Sequence, residues 1–265
     1  MIAEKGRMIM EAASAQRAAE TLAAEHKAGT RFKALPGLTS IGDAYDIQDK
    51  YVPLLRVTHG NAVGYKVGLT SKAMQSFVGV DHPIAGVVLA KRVHQSGASV
   101  RRADYGRIGL EFEIAVRMKS DMPASANTPA AVAAFVDGVA AAIEIVDDRA
   151  ADYGNLDIKT LVSDNSWNAG IVLAPFVTNW PELEPLLGKA TQNGAPAGEG
   201  YGRDILGHPF NSVAWLNAQL ASRGGGLRKG DIVMTGSVMK TVFPTQPAQF
   251  RFDMPGLGSV EVKVT

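Results

Sequence analysis

The chain has 265 residues, 46% of them hydrophobic and 20% charged, an ordinary globular balance with enough apolar material for a substantial core. Its 27 Lys and Arg against 26 Asp and Glu leave a net charge of +1, which offers no electrostatic footprint for nucleic acid or an acidic membrane and suits a small-molecule partner. The absence of cysteine excludes disulfide scaffolds, thiolate zinc sites, iron–sulfur clusters and cysteine nucleophiles, so any metal must take oxygen or imidazole ligands.

In chain order, Met8 to about His26 has apolar residues at helical spacing, is rich in Ala, and meets a stop at Gly29. Its apolar start at Met8, Ile9 and Met10 is followed by Glu11, Arg17, Glu20 and Glu25, too soon for a signal-peptide core or a membrane span. No later segment is long enough to span either, and a cytoplasmic location is expected. A second helix is capped by Thr39 or Ser40, carries Ala44, Ile47 and Tyr51 on one stripe, and is expected to yield at Pro53.

After Gly60 the pattern turns to short apolar runs punctuated by glycine: 63–69, 84–89, 107–118, 169–173, 231–235 and 249–254, all read as strands. Helices are expected from the Thr128 cap and Pro129 through Ala142, and from Asn211 through Ala221. The stretch from Gly188 to Gly202 contains glycine at 188, 194, 198, 200 and 202 and reads as a mobile surface loop near a site. The whole reads as α+β, one domain over residues 1–265 with residues 1–60 as a helical N-terminal extension.

The strand Arg107 to Met118 alternates, with Ile108, Leu110, Phe112, Ile114 and Val116 on one face. Glu111 and Glu113 therefore stand together on the other, about 7 Å apart along the strand. Either that face is solvated, or the paired like charges share a cation or a proton. In Ala141–Asp148 a single carboxylate, Glu144, interrupts an apolar run. Buried there, it needs a cation, strong hydrogen bonds or a proton; ion pairing to Arg107 or Arg149 is the structural alternative. Three carboxylates without Cys or paired His suit a hard cation such as Mg²⁺ or Mn²⁺. A glycosidase pair would instead have to face one another across a sugar.

Several motifs occur in a specific order: Asp43-Ala44-Tyr45-Asp46-Ile47-Gln48, Gly64-Tyr65-Lys66-Val67-Gly68-Leu69-Thr70-Ser71-Lys72, Gly79-Val80-Asp81-His82-Pro83, Glu111-Phe112-Glu113, Glu144, Val162-Ser163-Asp164-Asn165-Ser166, Leu206-Gly207-His208-Pro209 and Gly230 to Ser237. With them the chain resembles the 2-keto-4-pentenoate hydratase branch of the fumarylacetoacetate hydrolase superfamily over most of its length. The resemblance implies a mixed β-sheet roll and Mg²⁺ or Mn²⁺ held by Glu111, Glu113 and Glu144. It also implies that Lys66 and Asp81 lie beside the substrate, that the protein forms homo-oligomers, and that a decarboxylase of the same fold can be a partner.

The chemistry agrees with this. A 2-hydroxy-2,4-dienoate or its 2-keto tautomer can chelate a metal through its carboxylate and C2 oxygen, leaving proton movement and addition of water at C4 to a nearby amine and carboxyl. Lys66, expected to be partly buried with a depressed pKa, and Asp81 fill those roles as the catalytic pair; an exposed strand lysine and a turn aspartate are the bland alternatives. Asn165 and Ser166 could hold the substrate carboxylate or simply form a turn, and Ser237 could supply a hydroxyl to it or sit in a β-turn. His208 reads as a helix-entry residue outside the site.

The expected reaction is hydration of 2-hydroxypenta-2,4-dienoate, or a close relative, to a 4-hydroxy-2-keto acid in aromatic catabolism. Ile84, Trp167 and the Val238-Met239-Lys240 segment depart from the hydratase pattern, which keeps a 4-oxalocrotonate-type decarboxylase or an acylpyruvate hydrolase in play. A non-catalytic subunit that merely keeps the fold is disfavoured by the presence of all three glutamates and Lys66.

Overall fold

A computed structural model of the chain describes residues 11–265, so Met8, Ile9 and Met10 lie outside the described residues. Helices α1 (Ala12–Lys27) and α2 (Ile41–His59) open the chain. They bury Ala15, Ala19 and Leu22 against Ile47 and Tyr51 in a small core of their own. Ser40 starts α2 with a capping box: its side chain accepts from the Asp43 backbone, and the Asp43 carboxylate accepts from the Ser40 backbone.

Contrary to expectation, α2 runs through Pro53. Pro53 and Asp49 are both exposed while Tyr51 and Val52 are buried, so the helical bond lost at Pro53 falls on the solvent side of α2.

The body continues as β1 (Ala62–Gly68), α3 (Lys72–Val78), β2 (Ile84–Leu89), β3 (Val93–Gln95), β4 (Ala98–Val100), β5 (Ile108–Met118), α4 (Pro129–Ala133), β6 (Val136–Asp147), α5 (Ile158–Ser163) and β7 (Asn168–Leu173). It ends with β8 (Leu187–Gln192), β9 (Ala195–Tyr201), α6 (Pro209–Ala221), β10 (Ile232–Ser237), β11 (Ala248–Met254) and β12 (Gly258–Val264). One sheet has the order β2-β1-β10-β5-β6-β7-β3 and the other β4-β12-β11-β8-β9. In the first sheet β1–β10 and β3–β7 are parallel and the remaining pairs antiparallel. This is the expected α+β architecture built on a mixed sheet roll. Among the described residues no helix is long and apolar enough to cross a membrane.

The apolar face of β5 packs on the second sheet. Phe112 meets Phe252 of β11 with ring centroids 5.5 Å apart, and Ile108, Leu110, Phe112, Ile114 and Val116 are all at most 1% exposed. Each such side chain contributes roughly 2 kcal/mol of transfer free energy, so this face fixes the strand's register. A one-residue slip would swing Glu111 and Glu113 into that core.

Two further expectations are corrected. The helix starting at Pro129 ends at Ala133, and Val136 to Ala142 belong to β6. Alanine's helix preference yields because β6 lies between β5 and β7 and is buried on both faces. Gly188 to Gly202 is not a loop but the β8–β9 hairpin, where the glycines permit close approach: a Cβ on Gly200 would lie 1.9 Å from the Val238 carbonyl oxygen, and one on Gly198 2.2 Å from the Met239 methyl. The α6 helix is present and ends at Ala221 as expected, but it starts at Pro209 and its cap is His208 rather than Asn211, the His208 Nδ1 accepting from the Phe210 backbone.

Candidate metal centre and active site

The face of β5 opposite the core is not solvated. Glu113 and Glu144 are fully buried, with Glu111 half-buried beside them. Antiparallel pairing of β5 and β6 sets Glu111 directly opposite Glu144, and one carboxylate oxygen from each of Glu111, Glu113 and Glu144 falls within 4.8 Å of the others. The alternative partners of Glu144 are engaged elsewhere. Arg107 forks onto Asp148, and Arg149 binds Asp164 and Glu25, tying α1 to the body.

Each carboxylate is steered by a single protein environment. The Thr241 hydroxyl donates to Glu111 Oε1 at 2.7 Å, the Gly236 N–H to Glu113 Oε2 at 2.8 Å, and the Asn168 amide to Glu144 Oε1 at 2.9 Å. The Gly236 contact depends on an irregularity in the β10–β5 ladder between Met234 and Ser237, which turns that N–H toward the glutamate. Glu113 Oε1 and Glu144 Oε2 are left buried with no hydrogen-bond partner.

Orphaned carboxylate oxygens deep in a protein are costly unless a cation meets them. The donor set is all oxygen, so these residues fit a hard divalent cation.

The one buried ammonium among the described residues stands here: Lys66 Nζ lies 3.4 Å from Glu144 Oε1. The expected depressed pKa is not found. Burial pulls the ammonium down, but Glu144, Glu111 and Glu113 outweigh it and hold Lys66 above the usual lysine value. Burial, together with the neighbouring carboxylates, pushes Glu113 and Glu144 up. A Cβ on Gly68 would meet Lys66 Nζ at 3.3 Å, so that glycine leaves room for the ammonium.

A cavity of about 550 Å³ opens beside Glu111 and Gly68, with Leu69, Thr70, Ser237 and Met239 also in its wall. The Ser237 hydroxyl lies against the Phe112 backbone.

Other expected residues are placed differently. The Asn165 amide exchanges hydrogen bonds with both backbone groups of Val87, and the Ser166 hydroxyl donates to the Ala85 carbonyl, so these side chains are spent on β2 rather than free for substrate. Tyr45 and Gln48 from the first motif bind the Ala85 backbone as well. Asp81 stands exposed on the bend before β2 and does not line the cavity. Thr241 and Asn168 escaped sequence reasoning. Asn168 left one signal, a polar residue opening an otherwise apolar strand; Thr241 left none.

The sequence profile of the fumarylacetoacetate (FAA) hydrolase C-terminal family matches residues 58–265. A 2-keto-4-pentenoate hydratase of Burkholderia vietnamiensis is 32% identical over 84% of this chain and 85% of that protein. A 2-hydroxyhexa-2,4-dienoate hydratase of Comamonas testosteroni is 31% identical over 85% and 87%. The structure of 4-oxalocrotonate decarboxylase from Pseudomonas putida G7, complexed with magnesium and adipate, superimposes with a TM-score of 0.90 at 26% identity, covering 98% of this chain and all of that one. With a match across most of its length and an acidic cluster built from its two central strands, the chain belongs to the fumarylacetoacetate hydrolase family.

Proposed function

We propose that this protein is a divalent-metal-dependent hydratase acting on 2-hydroxypenta-2,4-dienoate or a close relative. The observation that carries the reading is the pair of orphaned oxygens on Glu113 and Glu144 beside the Lys66 ammonium. Glu111, Glu113 and Glu144 would hold Mg²⁺ or Mn²⁺, the choice of Mg²⁺ resting on the magnesium in the decarboxylase structure. When bound, the cation supplies Lewis-acid stabilisation of negative charge on a 2-oxo acid.

In net terms one water is added. The C2 hydroxyl becomes a ketone, hydrogen is gained at C5 and C3, and hydroxyl at C4. Lys66 Nζ, buried beside Glu144 at 3.4 Å, is the group we assign to move a proton at the metal cluster. Ser237 lines the cavity and would border the acid, and Asn165 and Ser166 act by fixing β2. The exposed Asp81 carries no step in this reading. We read residues 1–265 as one catalytic domain whose first 60 residues form a helical extension, and we propose that it assembles with copies of itself in the cytoplasm.

The test is turnover by the purified protein. Dienol absorbance should fall only with Mg²⁺ or Mn²⁺ present, yielding a 4-hydroxy-2-keto acid. Release of CO₂ would make the protein a decarboxylase on this scaffold, and no consumption of dienol with either metal would sink the hydratase reading. Light scattering of the same sample tests self-assembly.

A further inference from the structure

A second cavity, of about 470 Å³, lies between the end of α1, the middle of α2 and the segment that enters β7. It shares no lining residue with the cavity beside Glu111, and none of the three glutamates reaches its wall. Its polar side chains include Tyr51, Arg92, Tyr105, Asp147 and Asp164.

Arg92 is the odd member of this wall. Its guanidinium is half-buried, yet it forms no ion pair with any described residue. Nη1 donates to the Asn168 carbonyl at 3.1 Å and Nη2 to His59 Nε2 at 2.9 Å. Both partners are uncharged at neutral pH, since burial and the Arg92 and Lys91 charges lower His59 to about 4. Three of the five guanidinium N–H groups are left without a protein acceptor. Burial lowers the Arg92 pKa, and the acids around the cavity do not make up for it, whereas their own acid partners hold Arg107 and Arg149 above the usual value. A cation set into a wall without a counter-charge is costly.

The carboxylates of the wall are already committed. Asp164 accepts from His26 and Arg149, and Asp147 from the backbone N–H groups of Gly106, Arg107 and Arg149. At the mouth Asp104 is paired with Arg101, while the exposed Lys27 adds a cation with no ion-pair partner among the described residues. The Tyr51 and Tyr105 hydroxyls, also in the wall, make no hydrogen bond with any described residue. A guanidinium fork with spare donors and two unbonded hydroxyls suits a carboxylate. Leu55 and Trp167 give the same cavity apolar surface for the rest of a ligand, and its volume falls in the range of small-molecule sites.

We propose that this cavity is a second binding site, for a small organic carboxylate with a flat or apolar body, its carboxylate received by Arg92 together with Tyr51 and Tyr105. The site stands independently of the reaction at the metal cluster.

The test is calorimetric titration of the full chain in EDTA. Without a cation, three carboxylates against the single Lys66 ammonium repel an anion from the metal cluster. Benzoate is the probe, benzamide its uncharged counterpart, and inorganic phosphate an oxyanion without an apolar body. Benzoate should bind saturably and about tenfold or more tighter than benzamide or phosphate, the scale of hydrogen bonds to a charged group. Arg92→Gln should weaken benzoate by the same factor. Because Arg92 also holds His59 and Asn168, Tyr105→Phe is the second variant: it removes one hydroxyl from a partly exposed ring and should cost benzoate about fivefold with an unchanged urea midpoint. Absence of saturable benzoate binding, benzamide binding as tightly as benzoate, or a folded Arg92→Gln variant that binds benzoate as the natural chain does overturns the proposal. So does Tyr105→Phe with unchanged benzoate affinity where Arg92→Gln does not fold. Phosphate binding as tightly as benzoate overturns the assignment of an organic carboxylate in favour of a bare oxyanion site.

Discussion

Asn168 and Glu144 are joined across β6 and β7, the Asn168 amide donating to Glu144 Oε1 while Glu144 Oε2 lies buried without a partner. The amide thus chooses which oxygen of the carboxylate is left for a cation. Partners of this kind around a metal ligand are worth about 10–100-fold in metal affinity. Asn168→Ala should lower Mn²⁺ affinity by that factor in a calorimetric titration while the protein stays folded. Unchanged affinity would remove Asn168 from the metal centre.

Thr241 plays the same part for Glu111, but the setting differs. Glu111 is half-buried and borders the cavity, so water can take over the hydroxyl's bond at little cost. Thr241→Val should therefore weaken Mn²⁺ less than Asn168→Ala does, by under about tenfold. A loss as large as that of Asn168→Ala would show that water does not reach Glu111.

Glu111 and Glu113 were legible because strand alternation is a local rule, whereas Glu144 showed only as a lone carboxylate in an apolar run that demands some partner, and its place among the ligands came mainly from the family resemblance. What brings them together is not local: the Glu111–Glu144 register is set by the core face of β5 packing on β11. Met74 and Phe77 share α3, but Tyr153 and Phe243 come from separate, distant segments, so the cavity wall could not be read in advance. The Asn165–Ser166 motif was visible, but its use was not, since only the fold shows those side chains bound to β2. Gly198 and Gly200 looked like a loop for a related reason. They are strand positions where the Val238–Met239 backbone and side chain press in.

His59 offers a test of pH dependence away from the metal centre. Burial, with help from Arg92 and Lys91, lowers it from the ordinary 6.5 to about 4, and its Nε2 faces the Arg92 guanidinium at 2.9 Å. The folded state thus binds fewer protons than the unfolded one between those values. Stability from this group is present above 6.5 and is lost as pH falls toward 4. His59 remains partly exposed, so the effect is moderated by solvent. Urea midpoints at about pH 5 and pH 7 should differ less in His59→Gln than in the natural chain; an equal difference would dismiss the linkage.

Gly200 carries the last prediction, because it ties the glycine-rich hairpin to the site. A Cβ there would lie 1.9 Å from Val238 O and 2.7 Å from Val238 C, and both are backbone atoms. Val238 cannot retreat freely, since its N–H donates to the Phe112 carbonyl at 2.9 Å on the strand that bears Glu111 and Glu113. Gly200→Ala should destabilise the protein by about 2–3 kcal/mol, the upper part of the overpacking range. It should also weaken 2-oxo acid binding more than Mn²⁺ binding, because Val238 and Met239 wall the cavity and ligate nothing. Gly225→Ala, where the nearest atom is 3.4 Å away, is the comparison and should stay within about 0.5 kcal/mol. If the two variants unfold in urea at the same midpoint, β9 does not press on Val238 as the structure has it.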